Sequence, residues 1–428
     1  MEKFSLFLER KLLPIGEKIN RIRFLQIVRM SMMPIIPLIM AGSFVLIILS
    51  FPYLNEVIPS EILTVAYAIF SPLITATFNL IALFLAFLVG YNYSSQEDER
   101  CNNVYVGLTT LAAFFIISPT GVVSGETVVA AIPTQFMGAQ GMFVALIFSY
   151  IVAIICCKFM KSNFKIKLPD NVPEMVSASF ESLIPIVITL VFASIVQYGF
   201  TLTSYENIHQ MISSVIQQPL TAIGTSLSAI VFTQGLAQVF WFFGLHGDQI
   251  INPVINPILV AANMENLAAF TQGTDLPYII TESFRGVFVQ SGFISLAIAI
   301  IIATRSKRYR KVGKLMTLPT VFGVSEPTVF ATPVVMNFAL FIPWVLVRPV
   351  FAIITYMFMS TGICPPPTGV DIPWTVPPLI SGFLTTNSIM GALVQLICLT
   401  VGVIMFIPFV RVMDKTAISQ EEEVEGLD

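Results

Sequence analysis

Few side chains in this sequence can do chemistry, and they stand in unusual surroundings. Glu326 lies in LPTVFGVSEPTVFATP, Leu318 to Pro333, an almost wholly apolar run interrupted by Gly323, Pro327 and Pro333. Gly323 permits a tight turn and the prolines remove backbone donors, so the run reads as a short helix, a turn bearing Glu326 and a second short helix. An ionised acid at the centre of a bilayer costs about 3 kcal/mol or more, so a carboxylate there is expected to serve a site. The plainer reading is a helix cap facing headgroups. His246 sits in WFFGLHGDQI between Gly244 and Gly247, where backbone or ligand can approach closely and Asp248 can orient the ring. The alternative is a helix-packing donor.

Asn252, Asn256 and Asn263 follow in INPVINPILVAAN; they suit a hydroxyl-rich ligand, although Asn-Pro is also a plain helix-start or turn signal. Trp374, in DIPWTVPP, is either an interfacial anchor or a platform for the apolar face of a sugar ring. Glu282 and Arg285 are one helical turn apart, and Arg348 stands alone in the middle of an apolar run. Internal pairing is the favoured reading of both arginines, with phosphate contact as the other. Trp241 and Trp344 read as packing or anchor residues, and His209 as a solvated interfacial residue.

The solvent around these residues follows from composition. The chain has 428 residues, 56% hydrophobic and 11% charged, with 36 Phe and 18 Met. A soluble domain carries about 25% charged residues, so most of this surface must meet lipid. A formal net charge of −3 gives no reason to expect a nucleic-acid partner. Cys101, Cys156, Cys157, Cys364 and Cys398 lack metal-ligand spacing and read as free thiols; no metal or cofactor is expected. The polar start MEKFSLFLERKLLPIGEKINRIRF does not read as a cleavable signal peptide. Walker A, TVGYG-type filter and voltage-sensor patterns are missing, which argues against a nucleotide-driven pump and a potassium or voltage-gated channel.

The expected fold is an all-α polytopic membrane protein with about ten transmembrane helices, re-entrant hairpins and interfacial amphipathic helices, each crossing taking roughly 20 apolar residues. Candidate spans are 30–51, 65–90, 104–119, 136–157, 182–202, 223–244, 284–303, 336–358 and 387–410, with 249–270 weaker. Basic clusters at Lys3–Arg29, Lys158–Lys167, Arg305–Lys314 and Arg411–Lys415 place both termini and these loops on the cytoplasmic side. The acidic loop YNYSSQEDERCN, inside by parity, runs against that trend. SYENIHQMISSVIQQ reads as an amphipathic helix along a membrane face. Residues 1–170 carry long plain apolar runs and read as a scaffold. Residues 171–415, with their broken runs, read as the working part, and 416–428 as a tail.

GLHGD at 244–248, the Gly-x-x-Glu-Pro turn from Gly323 to Pro327, the opening MEKFSLFLERKLLPIGEKI and the two-part layout together resemble the membrane-embedded IIC component of sugar phosphotransferase systems, in its lactose/cellobiose/diacetylchitobiose branch. The resemblance implies a homodimer in the bacterial cytoplasmic membrane, its subunit contact made by the N-terminal spans and one disaccharide held by the C-terminal part. It implies that Glu326 contacts the hydroxyl to be phosphorylated, that His246 lies beside it and that Trp374 packs on the sugar. The phosphate would come from the phosphocysteine of a separate, phosphorylated IIB protein, since the sequence after Arg411 is too short for a fused IIB domain. In-line phosphoryl transfer needs an oriented hydroxyl, a group to take its proton and tolerance of phosphate charge. Glu326 suits the second role and His246 the third. The rival reading is a proton-coupled secondary sugar transporter with Glu326 as the proton carrier.

Overall fold

The computed structural model describes residues 21–49, 58–124, 127–164, 166, 168–169, 172–323, 325, 328–329, 332 and 334–425. Glu326 therefore lies outside the described residues. The described chain is helical apart from one short hairpin, and by contacts it divides into two compact units. One holds residues 21–42 and 67–221; the other holds 43–66 and 222–425.

The first unit is built on α1 (Arg23–Met32), α4 (Ile81–Ser94), α5 (Asn103–Ile117), α6 (Met142–Met160) and α7 (Glu174–Thr201), with α2 (Ile36–Leu49) and α3 (Ser60–Phe78) crossing its boundaries. Helix α4 is its centre, packing on α1, α5 and α6, and α7 lies against α5 and α6. Asn102 starts α5 by accepting from the Val104 and Tyr105 amides, which satisfies donors that helix geometry leaves open. Between α5 and α6, Gly121–Ser124 (β1) pairs antiparallel with Thr127–Ala130 (β2). The valine-rich strands flank a Gly-Glu pair, a turn signal that an all-helical reading does not include.

The acidic loop that runs against the charge trend is explained here. Glu97 makes ion pairs with Arg23 and Lys161, which belong to two of the basic clusters, and the Arg23 guanidinium lies 4.1 Å from the Tyr93 ring centroid. The loop, Arg23 and Lys161 share one end of the unit. The Lys161 ammonium, with Arg23 behind it, holds the Glu97 carboxyl below the ordinary carboxylate range.

His209 overturns its reading as a solvated residue. It lies on α8 (Ile208–Ile212), is 1% exposed, bonds Ser118 Oγ through Nε2 at 3.0 Å and packs on Phe114 and Phe136. Around it Ile208 and Ile212 are buried with the polar Asn207 and Gln217, while Gln210, Ser214 and Val215 are exposed, so burial does not sort this segment by polarity.

The second unit follows α9 (Gln218–Gly224). Helices α10 (Leu227–Phe242), α11 (Gly247–Gln272), α12 (Gly292–Ala303), α13 (Lys307–Val321), α14 (Phe338–Ser360), α15 (Ile380–Thr386) and α16 (Ile389–Glu425) make it up. Helix α14 packs on α10 and α16, α12 on α13 and α16, and α10 on α11. The run INPVINP, whose Asn-Pro pairs offered helix-start or turn signals, is continuous: Pro253 and Pro257 lie inside α11, and the break falls before it, at Gly244–His246. Among the described residues six helices are long and apolar enough to cross a membrane, or seven if the bent pair 208–224 and 227–242 counts as one span.

Candidate functional site

The GLHGD motif is a helix start made under steric constraint. Gly244 has φ +78°, a left-handed conformation that side chains disfavour, and turns the chain after α10. At Gly247 a Cβ would collide with the Ala237 carbonyl, so the first turn of α11 lies directly on the backbone of α10. His246 caps α11: its Nδ1 lies 3.4 Å from the Gln249 amide, and its ring is exposed. An Nδ1 that accepts from a backbone N–H leaves the proton on Nε2 in the neutral ring, and Nε2 is then a donor.

Asp248 does not orient His246 directly. Its carboxylate receives the Arg348 guanidinium in a two-pronged pair (2.8 and 3.1 Å), the Trp241 indole N–H (2.9 Å) and the Gln290 amide (3.2 Å). The expected internal pairing of Arg348 is thus met, from the middle of α14 to a residue 100 positions away. Trp241, read as a packing residue, is a connector. Its indole is fixed by Asp248 and its ring lies 4.2 Å from that of His246 at 43°.

One turn further along α11, Asn252 accepts from Arg285 Nη1 at 2.7 Å, and Asn256 accepts from Nη2 at 3.0 Å. The other edge of Arg285, 2% exposed, pairs with Glu282 at the expected i, i+3 spacing. Asn263 donates to the Gly369 carbonyl, and Asn266 donates to the Pro367 and Tyr278 carbonyls. Residues 248, 252, 256, 263 and 266 thus form a polar line along α11 that holds two arginines and the proline-rich loop 361–379. That loop carries Asp371 and Trp374.

The segment containing Glu326 is anchored at both ends. On either side of Glu326, Thr320 and Thr328 bond through their hydroxyls at 2.7 Å. Gly323, φ +84°, sits under Trp374, whose carbonyl would collide with any Cβ there. At the far end the Met336 amide donates to the Phe242 carbonyl at 2.9 Å, and Val335 meets Gly244. The stretch between Gly323 and Met336 therefore starts at Trp374 and finishes at the GLHGD turn. Trp374 itself is 67% exposed.

These features define a helical membrane protein with a polar site inside an apolar unit. The profile of the family "Phosphotransferase system, EIIC" matches residues 29–347. The oligo-beta-mannoside-specific EIIC component of Bacillus subtilis (strain 168) is 36% identical, over 99% of this chain and 96% of its own length. The cellobiose-specific EIIC component of Geobacillus stearothermophilus is 32% identical, over 99% and 97%. The crystal structure of the transporter ChbC, the IIC component from the N,N'-diacetylchitobiose-specific phosphotransferase system, superposes with a TM-score of 0.90 at 29% identity, covering 97% of this chain and 99% of that one. The chain belongs to the EIIC family of the phosphotransferase system and is a multi-pass membrane protein.

Two predictions test the site's electrostatics. Asp248→Asn or Arg348→Met alone leaves a buried charge without its partner and should destabilise by about 3–5 kcal/mol, whereas the double variant should recover much of that loss. Unfolding midpoints in detergent measure it, and additive losses would refute the coupling. Burial, and then the neighbouring Glu282 carboxylate, push Asp371 up to about 7. A carboxyl raised in this way contributes stability that is complete below its ordinary value of about 4. That stability is lost as pH rises through about 7. Between about pH 5 and about pH 8 the wild type should lose stability relative to Asp371→Asn, and parallel melting curves would show that Asp371 does not titrate there.

Proposed function

We propose that this chain is the permease of a disaccharide phosphotransferase system, binding a β-linked sugar of the cellobiose, diacetylchitobiose or lactose type and presenting it for phosphorylation by the phosphocysteine of a separate IIB protein. The observation that carries this reading is the double anchoring of the 323–336 stretch, against Trp374 at one end and the GLHGD turn at the other. Described residues on either side of Glu326 meet Trp374 and the GLHGD turn, which supports a shared role for Glu326, Trp374 and His246. The names of the relatives, cellobiose-specific and oligo-beta-mannoside-specific among them, support the substrate class.

In the proposed reaction Trp374 stacks on the apolar face of the sugar and His246 donates from Nε2 to a hydroxyl. Glu326 accepts the proton of the attacking hydroxyl. Asn252 accepts from Arg285 with its carboxamide oxygen and donates to the sugar from its carboxamide nitrogen. A phosphorylated product carries charge that the apolar path back does not tolerate, so transfer traps the sugar inside without an ion gradient. Ten crossings, re-entrant hairpins around Glu326, cytoplasmic termini and a homodimer complete the proposal, with 1–170 as scaffold and dimer contact and 171–415 as the sugar-binding part.

Reconstituted protein supplied with phosphorylated IIB and a panel of β-linked disaccharides tests it. Wild type should phosphorylate at least one sugar, and Glu326→Gln should lower the rate by about 10²-fold or more. A wild-type rate in that variant removes Glu326 from the chemistry. Sugar accumulation driven by a proton gradient without IIB would establish the secondary-transporter reading instead.

A further inference from the structure

Helix α13 begins with the wrong charge. Its first turns carry Lys307, Arg308, Arg310 and Lys311, and no acidic residue lies in the first turn. A helix N-terminus has unpaired backbone N–H groups and a partial positive charge, so cations there are unfavourable. The compensation comes from another helix. Asp414 accepts from the Arg305 and Ser306 amides at 2.7 and 3.0 Å. Glu421 accepts from the Lys307 and Arg308 amides at 3.1 and 2.9 Å. Ser306 Oγ takes the next amide, that of Tyr309, at 3.3 Å. Both oxygens of two carboxylates on α16 thus hold four consecutive amides at the start of α13. The Arg308 and Lys307 amides in turn hold the Glu421 carboxyl below its ordinary range.

These carboxylates reach α13 because α16 is long. Its 37 residues extend about 55 Å, against about 30 Å of hydrocarbon. The overhanging turns carry Asp414 and Glu421. Helix α13 then runs for 15 residues, about 22 Å, with Tyr309, Met316 and Thr320 buried along one face, and ends at the turn where Gly323 lies under Trp374.

We propose that Asp414 and Glu421 are positioning residues for the sugar site: by clamping the start of α13 to the overhang of α16, they set where the helix places Gly323 against Trp374. The inference rests on the proposed function only in taking Trp374 as sugar-contacting.

The test uses the full-length protein in lipid nanodiscs, with hydrogen exchange and sugar binding as paired readouts. In the double variant Asp414→Ala/Glu421→Ala, amides 305–308 should exchange faster, and so should those of 315–323, by roughly tenfold. Affinity for the sugar bound by the wild type should fall by roughly five- to tenfold. Asp414→Asn/Glu421→Gln, which keeps one acceptor oxygen at each position, should restore part of both. Faster exchange confined to 305–309, or unchanged sugar affinity, reduces the carboxylates to a local helix cap and overturns the proposal. If the alanine double does not fold, Glu421→Gln alone decides by the same two readouts, with smaller amplitude expected. Glu326→Gln separates the two readings: normal sugar binding there removes Glu326 from the site, while exchange at 315–323 still reports the coupling.

Discussion

The second unit is organised by one buried ion pair, Arg348 with Asp248. A guanidinium in the middle of an apolar helix is tolerated only when its charge is met inside the protein. Asp248 meets it with both oxygens and uses its remaining acceptor capacity on Trp241 and Gln290. The pair therefore joins α10, α11, α14 and the stretch before α12 at one point. It also sets a ring: with its N–H held by Asp248, Trp241 presents a fixed face to His246. Arg348 reaches the candidate site through two intermediaries and without touching it.

Helix α11 repeats the device along its length. Asn252 and Asn256 hold Arg285, and Asn263 and Asn266 hold the carbonyls of the proline-rich loop. Proline-rich backbone lacks donors and cannot close its own ladder, so its carbonyls need side-chain partners when buried. The asparagines supply them. One helix face thereby fixes both the charged cluster and the loop that carries Trp374. Packed apolar residues in place of the charged pair could match its stability, but they would lose the directional contacts that set this register.

Contacts set by local spacing were legible in the sequence. Glu282 with Arg285 followed from i, i+3, and the turn at Gly323 from a glycine interrupting an apolar run. Contacts set by the fold were not. Asp248 and Arg348 are 100 residues apart, and nothing near either names the other. His209 looked solvated because its sequence neighbours are polar, while its partner Ser118 lies 91 residues earlier. Trp241 looked like packing because an indole N–H shows no partner until Asp248 folds back onto it. The start of α13 did carry a usable signal: a cationic first turn needs acids from elsewhere, and the overhang of α16 is rich in them. The expected crossings at 65–90, 136–157, 182–202, 284–303, 336–358 and 387–410 coincide with the six long apolar helices, because periodicity and length are local properties.

The capping role of His246 constrains the proposed chemistry. A ring nitrogen that accepts from the Gln249 amide is occupied, and the other nitrogen carries the proton. In that state the imidazole has no free lone pair with which to remove a proton from a sugar hydroxyl. It can only donate. Asp248 is saturated by four donors, and Glu282 is committed to Arg285, so neither is free to serve as base. In the proposed reaction the base is therefore another carboxylate, and Glu326 is the one proposed. In that proposal proton removal and hydrogen-bond donation fall to separate side chains, and the cap that His246 makes on α11 is what leaves it only the second role.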